Sequence, residues 1–361
     1  MSPLDVATPR RIASLDQFRG YTVVGMLFVN FIGGFVVMPS VLKHHNTYCS
    51  YADTIMPQFF FAVGFAFRLT FLKRLETAGL RASMLAALRR NLGLILVGVV
   101  LYHLDGEVKT WDELQKLGLW GFLSTAFVRE PYQTLIHIAL ASLLVTPIIA
   151  SRPRIRVAAL IVFGLSHLFL SYQFYFSHAW KTPVIDGGPL GFLTWSIPIL
   201  VGSLAYDIMV SGRGMPGKLT RLVGWSAILC AAGYGLSCLG VSGRLAPLPF
   251  IEPTEPVNLW TMSQRTGSLS YQVFAAGFSL GVYALFVILT DVSGLEIGLF
   301  RSFGRNALAA YVLHGIVASA VMPWLPKDSP LWLLAIGIFV YFAINTLFIR
   351  NFEKNGVFIK L

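Results

Sequence analysis

The stretch "LKHHNTYCSYADTIMPQFFF", residues 42–61, sets two adjacent imidazoles, His44 and His45, shortly before an aspartate, Asp53. An imidazole titrates near ~6.5, so it can take a proton from an amine or a hydroxyl at neutral pH. Asp53 is close enough in sequence to orient or charge-stabilise such a base, and it is equally suited to cap a helix or sit in its first turn. Neighbouring histidines are awkward ligands for one metal ion. The chain has no H-x-x-x-H or H-E-x-x-H spacing, so no metal site is expected. Asn30 is a polar residue within an apolar run, eleven residues after Arg19 and therefore about 16 Å along a helix from it. A polar side chain at membrane depth needs a partner, either across a helix–helix contact or in a site. His44, His45, His103, His137, His167 and His178 all fall towards one side of the expected topology, and His314 lies deeper. That asymmetry suits a site opening to that side, although aromatic-belt chemistry also gathers histidines there.

The elements that must position these groups are membrane helices. Of 361 residues, 55% are hydrophobic and 12% charged, and the mean hydropathy is +0.68. Soluble domains carry roughly a quarter charged residues. The apolar residues come in blocks long enough to cross a bilayer core, which takes about 20 helical residues. Ten spans are expected, near 20–40, 53–72, 88–104, 132–150, 154–172, 189–208, 221–240, 271–290, 305–322 and 330–349. With a cytoplasmic N-terminus, twenty of the 28 Lys and Arg fall in inner segments, and ten of the 17 acids fall outside. That bias puts both termini in the cytoplasm and accounts for the net charge of +11 without a nucleic-acid partner. The expectation is a single all-α, polytopic bundle over residues 1–361. No cleavable signal is read, because the first apolar block is too long for one. Residues 73–90 read as a basic inner loop, and "WDELQKLGLWGFLSTAF" as a helix lying at the interface. Pro-rich "APLPFIEPTEP" reads as an extended outer cover. Three scattered cysteines make neither a disulfide framework nor a metal site.

Five blocks occur in a characteristic order: "SLDQFRGYTVVGMLFVNFIGG", "LKHH…YADTIMPQFFFAVG", "DGGPLGFLTWSIPILVGSLA", "NLWTMS…YQVFAAGFSL" and "FGRNALAAYVLHGIV". In these the chain resembles the transmembrane acyltransferases related to heparan-α-glucosaminide N-acetyltransferase, including bacterial relatives, from about residue 11 to 325. The resemblance implies an enzyme that takes acetyl-CoA, as acyl-donor co-substrate, from the cytoplasm and passes the acetyl group to an amino sugar or glycan on the far side. It implies Asn30 and His44 as catalytic, with His45 as the fallback because the match to "LKH" requires a one-residue gap. It carries over Asp53, Pro57 and Gly64, and it matches the "GxNAL" asparagine to Asn306, with Tyr311 and His314 beyond. The lysosomal enzyme's tryptophan after the histidine is replaced by "HNTYCS". Its arginine-proline block survives only as Arg129 and Pro131, which puts the acceptor's identity in doubt.

The expected chemistry joins these readings. Arginines at the inner mouth, Arg11 and Arg19 among them, would hold the donor's phosphates, with Asn306, Tyr311 and His314 along its arm. Asn30 would hydrogen-bond the thioester carbonyl, and His44 would act as base or as a transient acyl carrier. Asp186, His178 and Trp260 are the expected acceptor contacts. A homodimer in a bacterial cytoplasmic membrane is expected. The alternative is a transporter or flippase for a glycan or lipid intermediate, although no pair of Gly/Pro-broken spans in corresponding halves supports it.

Overall fold

A computed structural model describes residues 12–102, 108–126, 132–182, 184–243, 245–253 and 256–358. Among them there is no β-strand. The helices are α1 (Ala13–Ile32), α2 (Tyr51–Tyr102), α3 (Trp111–Ala126), α4 (Thr134–Val145), α5 (Pro153–Leu170), α6 (Phe176–Lys181), α7 (Gly191–Val210), α8 (Met215–Cys238), α9 (Leu269–Phe286), α10 (Gly298–Arg305), α11 (Ala307–Val321) and α12 (Leu331–Lys354). Each expected span overlaps one of these, two of them sharing α2. Among the described residues, seven helical stretches are long and apolar enough to cross a membrane: Tyr51–Leu101, Pro153–Lys181, Gly188–Val210, Met215–Cys238, Leu269–Val292, Ala307–Trp324 and Leu331–Lys354.

The apolar residues sort the helices into inner and outer ones. α7 and α9 are apolar on all sides and form the centre, with 67% of their apolar windows buried against 11% for α8. α5, α8 and α12 turn rows such as Ile161–Leu165–Phe169, Trp225–Ile228 and Ile336–Phe339–Leu347 outward, as a lipid-facing surface requires. α2 packs on α7 with the backbones almost touching. A Cβ on Gly64 would stand 1.9 Å from the Ile199 carbonyl oxygen, and one on Gly202 would stand 2.0 Å from that of Phe61. Small residues at such crossings are how helices in lipid gain contact area.

At one end of the bundle, Asp207 of α7 ties three elements together. Its carboxylate accepts from Arg68 Nε of α2 at 2.6 Å and from Arg156 of α5, while Arg156 also donates to Ser203 Oγ at 2.7 Å. Arg68 further donates to the Ile149 carbonyl that follows α4.

Two boundaries differ from the sequence reading. α1 starts seven residues before residue 20 and ends at Ile32, so Asn30 lies in its last turn and not mid-span. The helix stops at Gly33–Gly34, and apolar residues 35–38 belong to the connection after it. At its start, Ser14 Oγ donates to Asp291 Oδ2 at 2.6 Å and Gln17 pairs with the backbone of Ile297, which draws a polar segment into the bundle. Residues 73–90 are helical and not a loop. α2 turns once, at Gly79, where φ is 79°, a conformation that glycine adopts without strain. The stretch read as interfacial is helical as α3, bent at Gly118, with Trp111, Leu119 and Trp120 exposed.

Candidate functional site

The connection between α1 and α2, residues 33–50, is anchored by Asp53 in the first turn of α2. The Asp53 carboxylate is 1% exposed. Its Oδ2 accepts from the Ser50 backbone N–H at 3.0 Å, from Ser50 Oγ at 2.9 Å and from the His45 N–H at 3.4 Å. Ser50 Oγ in turn accepts from the Asp53 N–H at 3.2 Å, closing a reciprocal cap of the type S-x-x-D at the start of α2. The remaining oxygen, Oδ1, meets His44 Nδ1 at 2.9 Å. Asp53 therefore caps α2 with one oxygen and orients an imidazole with the other. Tyr271 of α9 donates to the Asp53 carbonyl at 2.6 Å and fixes this turn against the central helix.

The other ring nitrogen, His44 Nε2, faces the Asn30 amide at 3.4 Å. An amide can turn either its oxygen or its nitrogen to this ring, so Asn30 suits both the imidazolium and the neutral base. His45 is oriented differently: its Nε2 donates to the Ser40 carbonyl at 2.8 Å and its ring stacks on Tyr48.

These groups line a cavity of about 540 Å³. Part of its lining is apolar, built by Met26 and Val29 of α1 and by Ile55, Met56 and Phe59 of α2. Tyr311 and His314 of α11 also line it, His314 Nδ1 donating to the Tyr311 carbonyl. The opposite wall is Asp186, Gln264, Arg265, Gln133 and Thr134. Asp186 is buried with φ at 54°, a left-handed conformation that costs a non-glycine residue about 1–2 kcal/mol. Three contacts hold it there. Trp195 Nε1 donates to its carbonyl at 2.6 Å, Gln264 Nε2 donates to its Oδ1 at 2.7 Å, and the next N–H, of Gly187, donates to the Arg265 carbonyl at 3.1 Å. Arg265 itself turns away, donating to the Trp180 and Thr182 carbonyls and lying 5.1 Å over the Trp180 ring.

The electrostatics follow from this layout. Burial works against protonation of His44, but the hydrogen bond and charge of Asp53, with the charge of Asp186 behind them, outweigh it and raise its pKa above the ordinary value. Burial pushes the Asp186 carboxyl up to about 6, against the pull of Gln264, His44 and Thr134. A histidine backed by a buried carboxylate, with an amide beside its free nitrogen, is equipped to take a proton from a hydroxyl or amine while a hydrogen-bond donor steadies an adjacent oxyanion.

Asn30, His44, Asp53, His45, Tyr311, His314 and Asp186 thus converge on one cavity. Asn306 lies at the junction of α10 and α11, fully buried and with no hydrogen-bond partner for its amide among the described residues. Arg19 sits towards the Ala13 end of α1, 3.9 Å from Asp16. His178 and Trp260 do not line the cavity. His178 faces Thr182, and the Trp260 carbonyl accepts from Ser270. His137 and His167 are buried in α4 and α5. Arg11, His103, Arg129 and Pro131 lie outside the described residues. Gln264, Arg265, Gln133 and Thr134 were not singled out by the sequence. Gln264 lies in the interval between the two halves of a quoted block, "NLWTMS…YQVF", and that position was its one signal.

Residues 12–350 match the family described as the acyltransferase domain, nearly the whole chain. The chain belongs to that acyltransferase family. No curated protein matches it. The acyltransferase is an integral membrane protein by its apolar helices and its family together. Membership favours an enzyme over the transporter alternative.

Proposed function

We propose that this acyltransferase moves an acetyl group from cytoplasmic acetyl-CoA to an amino or hydroxyl group of a sugar or glycan on the far side of the membrane, with His44 as the base. The observation that carries this reading is the position of His44 between the buried Asp53 carboxylate and Asn30, in a cavity large enough for a small acceptor. Cavities of this size bind small molecules. The resemblance to the enzymes related to heparan-α-glucosaminide N-acetyltransferase supports the donor and the acceptor class.

In this reading the chain crosses the membrane ten times with both termini in the cytoplasm of a bacterial cell, α2 turning back at Gly79. Arg19, with Arg11 near it in sequence, meets the phosphates of the donor. From Arg19 to Asn30 is about 16 Å of helix, the stretch that the pantetheine arm must bridge. The unpartnered amide of Asn306, with Tyr311 and His314 beyond it, suits the arm's own amides along that route.

At the top, the Asn30 amide N–H binds the thioester carbonyl oxygen, whose charge grows as the acceptor adds to the carbon. His44 Nε2 takes the acceptor's proton and returns it to the departing thiolate, while Asp53 holds Nδ1–H and stabilises the imidazolium. Acetylation of His44 itself before transfer is the variant with ping-pong kinetics. A homodimer is part of the proposal by family resemblance alone.

The test is acetyl-CoA consumption by the purified protein in detergent with a panel of amino sugars. Acceptor-dependent release of CoA that is lost in His44→Ala and retained in His45→Ala supports the reading. Failure of the wild type to bind or consume acetyl-CoA sinks it.

A further inference from the structure

The Pro-rich cover between α8 and α9 holds a backbone conformation that its sequence does not favour. Leu248–Pro249–Phe250–Ile251 form a turn, closed by the Ile251 N–H donating to the Leu248 carbonyl at 3.2 Å. Phe250 stands third in it, with φ at 73°. Proline second and a positive φ third is the type II arrangement, whose third position suits glycine. A bulky side chain is rare in that conformation and persists only where its surroundings over-determine it. Here the ring does so: it packs at steep angles on Phe274 and Phe278 of α9, with centroids 6.1 and 5.7 Å away.

The N–H of this strained residue leaves the cover. It donates to the Cys49 carbonyl at 2.9 Å, in the connection that carries His44. The same peptide unit gives its other end, the Ser50 N–H, to Asp53 Oδ2 at 3.0 Å, and Asp53 Oδ1 meets His44 Nδ1 at 2.9 Å. One chain of hydrogen bonds therefore runs from Phe250 through the Cys49–Ser50 peptide and Asp53 to the imidazole. A bond accepted at the carbonyl polarises the N–H of the same peptide, so each bond strengthens the next. α9 supports both ends of this chain. Phe274 and Phe278 seat the turn, and Tyr271 on the same helix donates to the Asp53 carbonyl.

Resting on the proposed acyl transfer, we infer that Phe250 is a positioning residue for His44. Its ring seats the turn on α9, and its N–H holds the Cys49–Ser50 peptide so that Asp53 faces the imidazole. Phe250 does not line the cavity and acts through Asp53. Against burial, the hydrogen bond and charge of Asp53 raise the His44 pKa, so loosening Asp53 lowers it. The other titratable or charged groups around that ring are Asp186, Arg265 and His314 in the cavity lining, with Lys43 and His45 beside it in the chain. Glu252 of the cover lies by Tyr48. None of these is a link between Phe250 and His44.

The experiment titrates the His44 ring by NMR of isotope-labelled histidine in the detergent-solubilised protein, with kcat and the KM for acetyl-CoA measured beside it. Phe250→Gly suits the turn and keeps the N–H but lacks the ring that seats it. Phe250→Tyr keeps the ring. Tyr234→Phe breaks a different tie of the cover, the Tyr234 hydroxyl on the Ala246 carbonyl at 2.7 Å, and leaves the Cys49 peptide alone. In Phe250→Gly the His44 titration should move about one pH unit lower, and kcat should fall roughly 10- to 100-fold with KM unchanged. Phe250→Tyr and Tyr234→Phe should keep the wild-type titration and kcat. An unmoved His44 titration in Phe250→Gly, whatever its melting temperature, marks a merely structural role and overturns the inference. An equal shift in Tyr234→Phe overturns it too, since loosening the cover anywhere would then suffice. Acetyl-CoA left unconsumed by the wild type overturns the proposed function itself, and the His44 titration still decides what Phe250 holds in place.

Discussion

His44 Nδ1 and Asp53 Oδ1 are 2.9 Å apart, and the other Asp53 oxygen is occupied by Ser50 and by the His45 N–H. The helix cap and the His44–Asp53 pair are therefore one structure. Asp53 cannot rotate away from His44 without uncapping α2, so the start of a helix fixes the orientation of the His44 imidazole.

Asp53→Asn separates the two jobs. Asparagine still accepts from Ser50 and keeps the cap, but it removes the charge that favours the His44 imidazolium. The rate of acyl transfer should fall by roughly 10²–10⁴-fold, the usual range for losing acid–base function. His44 works as a base only when neutral, so wild-type activity rises with pH through its raised pKa. Without Asp53 that pKa drops, and the acid limb attributable to His44 moves to lower pH although the plateau is lower. CoA release followed across pH checks both parts. An unmoved limb would mean that another group is the base.

Asn30→Ala tests the amide beside Nε2. If the amide binds the thioester oxygen mainly as charge develops, kcat should fall by roughly 10²–10³-fold. The KM for acetyl-CoA should change little, since a contact made only in the transition state does not hold the ground state. Equal effects on kcat and KM would instead assign Asn30 to donor binding.

The grouping of Asn30, His44 and Asp53 around one cavity was legible in the sequence because its parts are local. Asn30, the "HH" pair and Asp53 flank one connection, and a motif read along the chain is enough to bring them together. The ends of α1 were not. A hydropathy reading sees residues 35–38 as more membrane helix, although Gly33 and Gly34 end it. It starts the first span near residue 20, although the helix begins at Ala13 and Ser14 and Gln17 bond across to Asp291 and Ile297. The far wall was partly legible: Asp186 was expected, whereas Gln264 owes its place to pairings between residues 185–187 and 264–267 that no local pattern encodes. His178 and Trp260 were expected as acceptor contacts, but neither lines the cavity.

Asp207 is the joint of α2, α5 and α7, and its loss should be costly. Asp207→Ala leaves the Arg68 and Arg156 guanidiniums side by side without their shared carboxylate. Breaking one partner of a buried ionic group costs roughly 3–5 kcal/mol. The melting temperature in detergent should fall sharply, and Arg156→Met in the same chain should restore part of it by removing the stranded charge. If the double variant is less stable than the single one, the ionic joint is not what Asp207 contributes.

The α2–α7 crossing makes a prediction that does not depend on the chemistry. At Gly64 and Gly202 the obstructing atoms are main-chain carbonyls of the facing helix, which cannot swing aside as a side chain does. Adding even one methyl group forces the helices apart, and overpacking of this kind costs about 1–3 kcal/mol. Gly64→Ala and Gly202→Ala should each lower the melting temperature, and Gly64→Leu should prevent folding. Gly224 of α8 has nothing within 4 Å of the same added atom. Gly224→Ala should therefore be neutral or stabilising by up to about 1 kcal/mol, since alanine is the better helix former. Because α2 carries Asp53 and α7 carries Trp195, spreading this crossing should also separate Asp53 from the Asp186 wall. Gly64→Ala should then lower acyl transfer more than its loss of stability accounts for, when activity is measured well below its melting temperature. Unchanged activity in a destabilised Gly64→Ala would mean that the site is held by the loops alone.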